Sequence, residues 1–95
     1  MPELDPLIHA PVRLQVVTTL SAVSEAEFAT LRAALQVSDS VLSKHISALA
    51  DAGYVRSRKG VQAGRRTTWI ALTSTGRKAL REHVAALRRL IDVVD

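Results

Sequence analysis

The sequence predicts a mainly α-helical domain with one small β-hairpin, in the order helix, helix, helix, strand, strand, helix. Three observations point there. Hydrophobic residues make up 47% of the 95 residues but aromatics only 3%, so the core is built from Leu, Val, Ile and Ala, which favours helices. Apolar residues recur at three- and four-residue spacings through most of the chain. Residues 54–72 break that period, carry β-forming side chains and are punctuated by Gly60 and Gly64. The length fits one domain, residues 1–95.

Each element has its own signal. Asp5-Pro6 reads as an N-cap followed by proline at the first helical position, and Pro11 either ends that helix or starts another. Val12, Val16 and Leu20, with Leu14 and Val17 beside them, give the next helix a wide apolar stripe. Ser21 to Ser24 is a break. Ser24 with Glu27 three residues later makes a capping box, opening a helix through roughly Leu35 with Phe28, Leu31 and Leu35 on one face. Gln36-Val37 is a short connection. Ser38 then caps a helix running to about Ala52, with Asp39 at its positive end and Gly53 just past its last turn. Leu42, Ile46 and Leu49 set its buried face.

Tyr54 to Lys59 reads as a first strand, Gly60 to Gly64 as the turn, and Arg65 to Leu72 as a second strand, with Trp69 expected as a lid on the core. Thr73 caps a last helix over about residues 74–93.

The net charge of +4 is unevenly spread. Residues 1–38 carry Arg13 and Arg32 against Glu3, Asp5, Glu25 and Glu27, whereas residues 39–95 carry eleven cations against five acids. Composition alone fits a soluble basic domain as well as a nucleic-acid binder; placement separates them. Arg56, Arg58, Lys59, Arg65 and Arg66 put five cations within eleven residues and no acid among them. Edge protection of a sheet explains one or two such residues, not five. These cations suit phosphate neutralisation or insertion into a narrow minor groove.

Two short helices joined by a tight connection form a helix-turn-helix, and a basic hairpin directly after them makes it winged. Opposite Leu42, Ile46 and Leu49 lie Ser40, Lys44 and Ser47, with Ser43 on the flank. Short hydrogen-bonding side chains on that face suit a helix entering the major groove of DNA. Ser38 stands at the helix N-terminus, which favours phosphate. Lys44 reaches either a base edge or a phosphate. The expected DNA-binding residues are therefore Ser38, Ser40, Ser43, Lys44 and Ser47 on the helix at about residues 39–52, and Arg58, Lys59, Arg65 and Arg66 on the wing at residues 56–68. His45, beside the apolar face, is expected to be structural.

The stretch Ser38 to Leu49, followed by Ala52-Gly53-Tyr54-Val55, resembles the recognition helix and first wing strand of small bacterial winged-helix regulators related to the MarR and ArsR families. Gly64-Arg65-Arg66-Thr67-Thr68-Trp69-Ile70-Ala71-Leu72-Thr73-Ser74-Thr75-Gly76-Arg77 resembles their wing tip, second wing strand and entry to the final helix. Pro11-Val12-Arg13-Leu14 matches how such domains begin. The resemblance covers nearly the whole chain and implies a homodimeric transcriptional regulator that binds operator DNA.

Two departures stand out. ArsR-type metal sensors carry Cys or His clusters, whereas this chain has no Cys and His9, His45 and His83 are far apart in sequence, so no metal site is expected. MarR proteins are longer, so an effector pocket finds room here only at a dimer interface, and the effector itself is unspecified.

In the last helix Leu80, Val84, Leu87, Ile91 and Val94 follow alternating spacings of four and three, with Leu90 beside them. That stripe exceeds what one small domain buries, so the helix, together with the one at Pro11–Leu20, is expected to form a dimer interface and to read a palindromic operator. No carboxylate pair, activated nucleophile or phosphate-cradling loop points to an enzyme, and no cofactor is expected. No apolar run reaches membrane-span length and no signal-peptide pattern opens the chain, so the cytoplasm is the expected location. The alternative is a winged-helix module for protein–protein contact without specific DNA binding. RNA binding is the weaker variant, because aromatics for base stacking are scarce.

Overall fold

The computed structural model describes residues 3–94; Met1, Pro2 and Asp95 of the expected 1–95 domain lie outside the described residues. The elements are α1 (Pro6–His9), α2 (Pro11–Ser21), β1 (Ala26–Glu27), α3 (Phe28–Leu35), α4 (Asp39–Asp51), β2 (Val55–Gln62), β3 (Arg65–Leu72) and α5 (Ser74–Val94). The expected order is present, preceded by the short helix that Asp5-Pro6 signals and with a third strand added.

Local chemistry explains most boundaries. Asp5 Oδ1 accepts from the backbone N–H of Leu7 at 2.9 Å and of Ile8 at 3.3 Å, capping α1. Pro11 opens α2, where its missing N–H would have had no partner. Ser38 Oγ accepts from Val41 N at 3.2 Å and starts α4. Gly53, at φ +78°, ends it in the left-handed region that glycine adopts freely.

Two expectations need correction. Ser24 does not open a helix: Ala26 and Glu27 run extended as β1 and pair antiparallel with Ile70 and Trp69, and α3 begins at Phe28 without a side-chain cap. The capping-box pattern is outcompeted by β3, whose backbone groups need partners on both sides. The resulting sheet has the order β1-β3-β2.

The hairpin turn is Ala63-Gly64 alone, not Gly60 to Gly64, and Gln62 pairs with Arg65. Both turn residues have positive φ, +52° and +78°, as a two-residue turn matching strand twist requires. Gly60 sits inside β2, where a Cβ would lie 3.0 Å from two atoms of the Trp69 indole. Ala63 is the strained member of the turn. Ala63→Asn is expected to raise stability by about 1 kcal/mol, because Asn tolerates the left-handed region that costs Ala roughly that much. An unchanged or lower urea midpoint would contradict the turn geometry.

The core joins Ile8 of α1, Val16, Val17 and Leu20 of α2, Leu31 of α3, and Leu42, Ile46 and Leu49 of α4 to Val55, Ile70, Leu72 and Leu80. Burial at the expected three- and four-residue spacings supplies the main driving force, about 1.5–3 kcal/mol per large side chain. Thr73 fastens α5. Its Oγ1 accepts from Gly76 N at 3.0 Å and lies 2.6 Å from the Gly53 carbonyl oxygen, joining the end of α4 to the start of α5. No helix among the described residues is long and apolar enough to cross a membrane.

Candidate nucleic-acid interface

The turn between α3 and α4 is closely held. Gln36 adopts the left-handed conformation at φ +56°, and Val37 N donates to the Arg32 carbonyl at 3.4 Å. The Arg32 guanidinium meets Asp39 at 2.8 Å across the turn. Both partners are substantially exposed, so the pair adds little to stability.

On α4 the buried residues Leu42, Ile46 and Leu49 turn Ser40, Ser43, Lys44 and Ser47 outward, all exposed, together with Val41. Ser38 is exposed at the N-terminus, with its Oγ 3.2 Å from Ser40 Oγ. His45 is half-buried, and its Nδ1 lies 3.1 Å from Arg13 Nη1 of α2. An arginine N–H donates there, so His45 Nδ1 accepts and the ring is neutral. Burial first, then Arg13 and Lys44, pushes its pKa down. His45 thus ties α4 to α2.

The wing has two unlike faces. Pairing sets Ser57 against Ile70, Lys59 against Thr68 and Val61 against Arg66 on the face turned to α4. Between that face and α4 lies a cleft of about 320 Å³, lined among others by Ser43 and Ser47 of α4 and Ser57, Lys59 and Thr68 of the wing. Lys59 Nζ donates to Thr68 Oγ1 at 3.1 Å. Phe28, Ile46 and Ile70 contribute the cleft's apolar lining. Arg66 is exposed farther out along the same face, and Arg65 is exposed beside the turn.

On the opposite face Arg58 is engaged by Glu25 through Nε at 3.0 Å and Nη2 at 2.5 Å, and its guanidinium carbon stands 5.5 Å from the Trp69 ring centroid. Thr67 Oγ1 donates to Glu27 Oε2 at 3.0 Å. Trp69 is half-buried beneath Arg58 on this outer face.

The structure therefore brings Ser43, Ser47 and Lys59 together and sets Arg58 apart from them. Ser57 and Thr68 join the cleft without having been expected there. Strand alternation was the available signal, but it gives the face only once the register is known.

The three histidines, far apart in sequence, are not all apart in space. His9 Nδ1 lies 3.4 Å from His83 Nε2, because α1 folds back onto α5. Asp5 N donates to His83 Nδ1 at 2.9 Å, which leaves the ring proton on Nε2, a donor rather than a metal-binding lone pair. Among the described residues no three His, Cys, Asp or Glu side chains converge as a metal site requires.

Along α5 the apolar stripe divides. Leu80 is 8% exposed and belongs to the core, and Val84 and Leu87 are half-buried. Leu90, Ile91 and Val94 are 52%, 62% and 87% exposed, and Val93 beside them 84%.

A family model described as a winged helix DNA-binding domain matches residues 12–91. An uncharacterized protein of Methanocaldococcus jannaschii is 29% identical over 84 residues, which are 88% of this chain and 91% of that protein. The structure of a transcriptional regulator homologue protein from Pyrococcus horikoshii superimposes with a TM-score of 0.87 at 28% identity, covering 94% of this chain and 88% of the other. A zinc-responsive MarR family member from Lactococcus lactis shares the fold with a TM-score of 0.63 at 18% identity. That match covers 87% of this chain and 56% of the longer protein. The matching family model is that of a DNA-binding domain, and the similar Pyrococcus protein is described as a transcriptional regulator homologue.

Proposed function

The chain belongs to the family of winged helix DNA-binding domains, and on that premise we propose that it is a dimeric, sequence-specific regulator of transcription acting in the cytoplasm. In this reading α4 enters the major groove of double-stranded DNA, and the wing follows the flanking backbone or the minor groove. The supporting observation is the cleft between α4 and the wing, where Ser43, Ser47, Ser57 and Thr68 present hydroxyls beside the ammonium of Lys59. Hydroxyls and an ammonium suit base edges and phosphates, and a flat apolar surface would not. Ser38, Ser40 and Lys44 extend this surface along α4. Arg65 and Arg66 extend it to the wing tip, where they neutralise phosphates.

The exposed end of α5 is the proposed contact with a second copy. Val84, Leu87, Leu90, Ile91 and Val94 would be covered there, with Leu80 at the inner end of the seam serving mainly its own core. Two copies would hold their α4 helices about 34 Å apart and favour a palindromic operator. Leu90→Glu with Ile91→Glu is expected to give monomers in sedimentation equilibrium, because two charges would enter an apolar contact.

Selection of bound fragments from a random duplex pool tests the whole reading. A palindromic consensus is expected; no enrichment at low salt would refute it. Against the selected site, Lys59→Ala and Arg66→Ala are each expected to lower the slope of log affinity against log salt by about 0.9, one phosphate's worth of counterions. Ser43→Ala and Ser47→Ala are expected to change which bases are preferred instead.

A further inference from the structure

We propose that Arg58 is a positioning residue that braces the wing, and that it does not itself bind DNA. The proposal rests on the DNA-binding reading above, but the brace belongs to the free protein.

β3 is the central strand, β2 lies on one side of it and the short β1 on the other. Arg58 projects from β2 directly opposite Trp69 of β3, and its guanidinium passes over the indole to Glu25, one residue before β1. One side chain therefore spans all three strands. The pairing is two-pronged, through Nε and Nη2 to the two carboxylate oxygens, a planar fork that lysine cannot reproduce. Gly60, two residues farther along the same face, leaves the room that the indole occupies. Glu27 of β1 adds a second tie across the strands by accepting from Thr67.

Charge points the same way. The hydrogen bond from Arg58 holds the Glu25 carboxyl below its usual pKa, which favours its ionised form. A guanidinium already paired with a carboxylate displaces no counterion from a phosphate. On this face Glu25 and Glu27 stand with Arg56, Arg58 and Arg65, so its charge is nearly balanced, whereas the strand residues of the face turned to α4 carry Lys59 and Arg66 with no acid. β1 contributes only two residues to the ladder, so backbone bonds alone tie β1 weakly to the hairpin. The Arg58–Glu25 strap fixes the angle at which Ser57, Lys59 and Thr68 face Ser43 and Ser47.

The test measures affinity for the selected duplex across a salt series, and amide hydrogen exchange of the wing without DNA. Glu25→Gln and Arg58→Ala are each expected to weaken binding about threefold to thirtyfold, in the range of coupling between neighbouring groups, with an unchanged salt slope. Exchange of amides 58–68 in the free protein is expected to speed up in both. The swapped pair Glu25→Arg with Arg58→Glu is expected to recover most of the affinity, and Arg58→Lys little of it.

Tighter binding by Glu25→Gln, or a slope reduced by about 0.9 in Arg58→Ala, would identify Arg58 as a phosphate contact and overturn the proposal. Unchanged wing exchange in both variants would overturn it too. A wild-type protein that binds no DNA while its variants loosen the wing would leave the brace standing and remove the DNA-binding reading instead.

Discussion

Gly76→Ala is expected to destabilise the protein by about 1–3 kcal/mol, against the usual effect of that exchange in a helix. Replacing glycine by alanine inside a helix ordinarily gains up to about 1 kcal/mol of propensity. Here the added Cβ would overlap the Tyr54 carbonyl oxygen and lie 2.7 Å from Leu72 Cδ1 and 2.9 Å from the Tyr54 carbonyl carbon. The obstacle is backbone, and it cannot swing aside. The Tyr54 oxygen accepts from Thr73 N at 3.0 Å, and Thr73 Oγ1 lies 3.1 Å from it. To escape, the first turn of α5 must lift, which breaks the bond from Gly76 N to Thr73 Oγ1 that caps the helix. Overpacking costs roughly 1–3 kcal/mol and loss of a cap about 1 more, which outweighs the propensity gain. The check is the urea midpoint of Gly76→Ala and Gly76→Ser. A neutral or stabilising result would mean that α5 does not approach Tyr54 this closely.

The same junction marks what the sequence makes legible. Asp5, Ser38 and Thr73 are short polar residues placed before apolar periodicity, and each caps the helix expected of it, because capping depends only on neighbours along the chain. Ser24 carries the same signal and fails, because a strand more than forty residues away pairs with Ala26 and Glu27 first. Propensity loses there to a tertiary contact with no local trace.

The hairpin shows the cost of a small error in a turn. Closing it over Gly60 to Gly64 would pair Lys59 with Arg65; the two-residue turn pairs Lys59 with Thr68. An odd change of register turns residues to the opposite face. That is why Ser57 and Thr68 do not stand out in the sequence as neighbours of Lys59; Arg58 and Lys59, adjacent on one strand, point to opposite faces in either register. Ala63 concealed the turn, since nothing in its chemistry favours the φ it adopts. The apolar stripe of α5 was legible as a stripe. Its division between core and surface depends on where the rest of the domain ends, which the helical period cannot give.

Acidification is expected to destabilise the fold through His83, a residue whose neighbours are distant in sequence. The ring is fully buried. Its Nδ1 accepts from Asp5 N at 2.9 Å, and its Nε2 faces His9 Nδ1 at 3.4 Å. Asp5 is itself fixed, through its cap on α1 and through Tyr54 Oη, which donates to Oδ2 at 2.6 Å. That bond and burial push the Tyr54 pKa up to about 12, so the phenol stays a donor. Protonating His83 would set a second hydrogen against the Asp5 N–H. Burial first and His9 second lower its pKa, while the Asp5 carboxylate acts in the opposite sense.

The folded pKa therefore lies below that of the unfolded chain, about 6.5, and in the window between them the unfolded chain binds more protons. Stability is full above about pH 6.5 and is lost as pH falls through the folded value. His45, also lowered, adds to the same trend. Urea midpoints from about pH 7.5 to about pH 5 are expected to fall for the wild type. His83→Leu should cost roughly 1–3 kcal/mol at neutral pH, because the Asp5 N–H loses its acceptor. Its midpoint should then fall less on acidification, leaving chiefly the contribution of His45. Wild-type and variant midpoints that decline in parallel would show that His83 is not held neutral between α1 and α5.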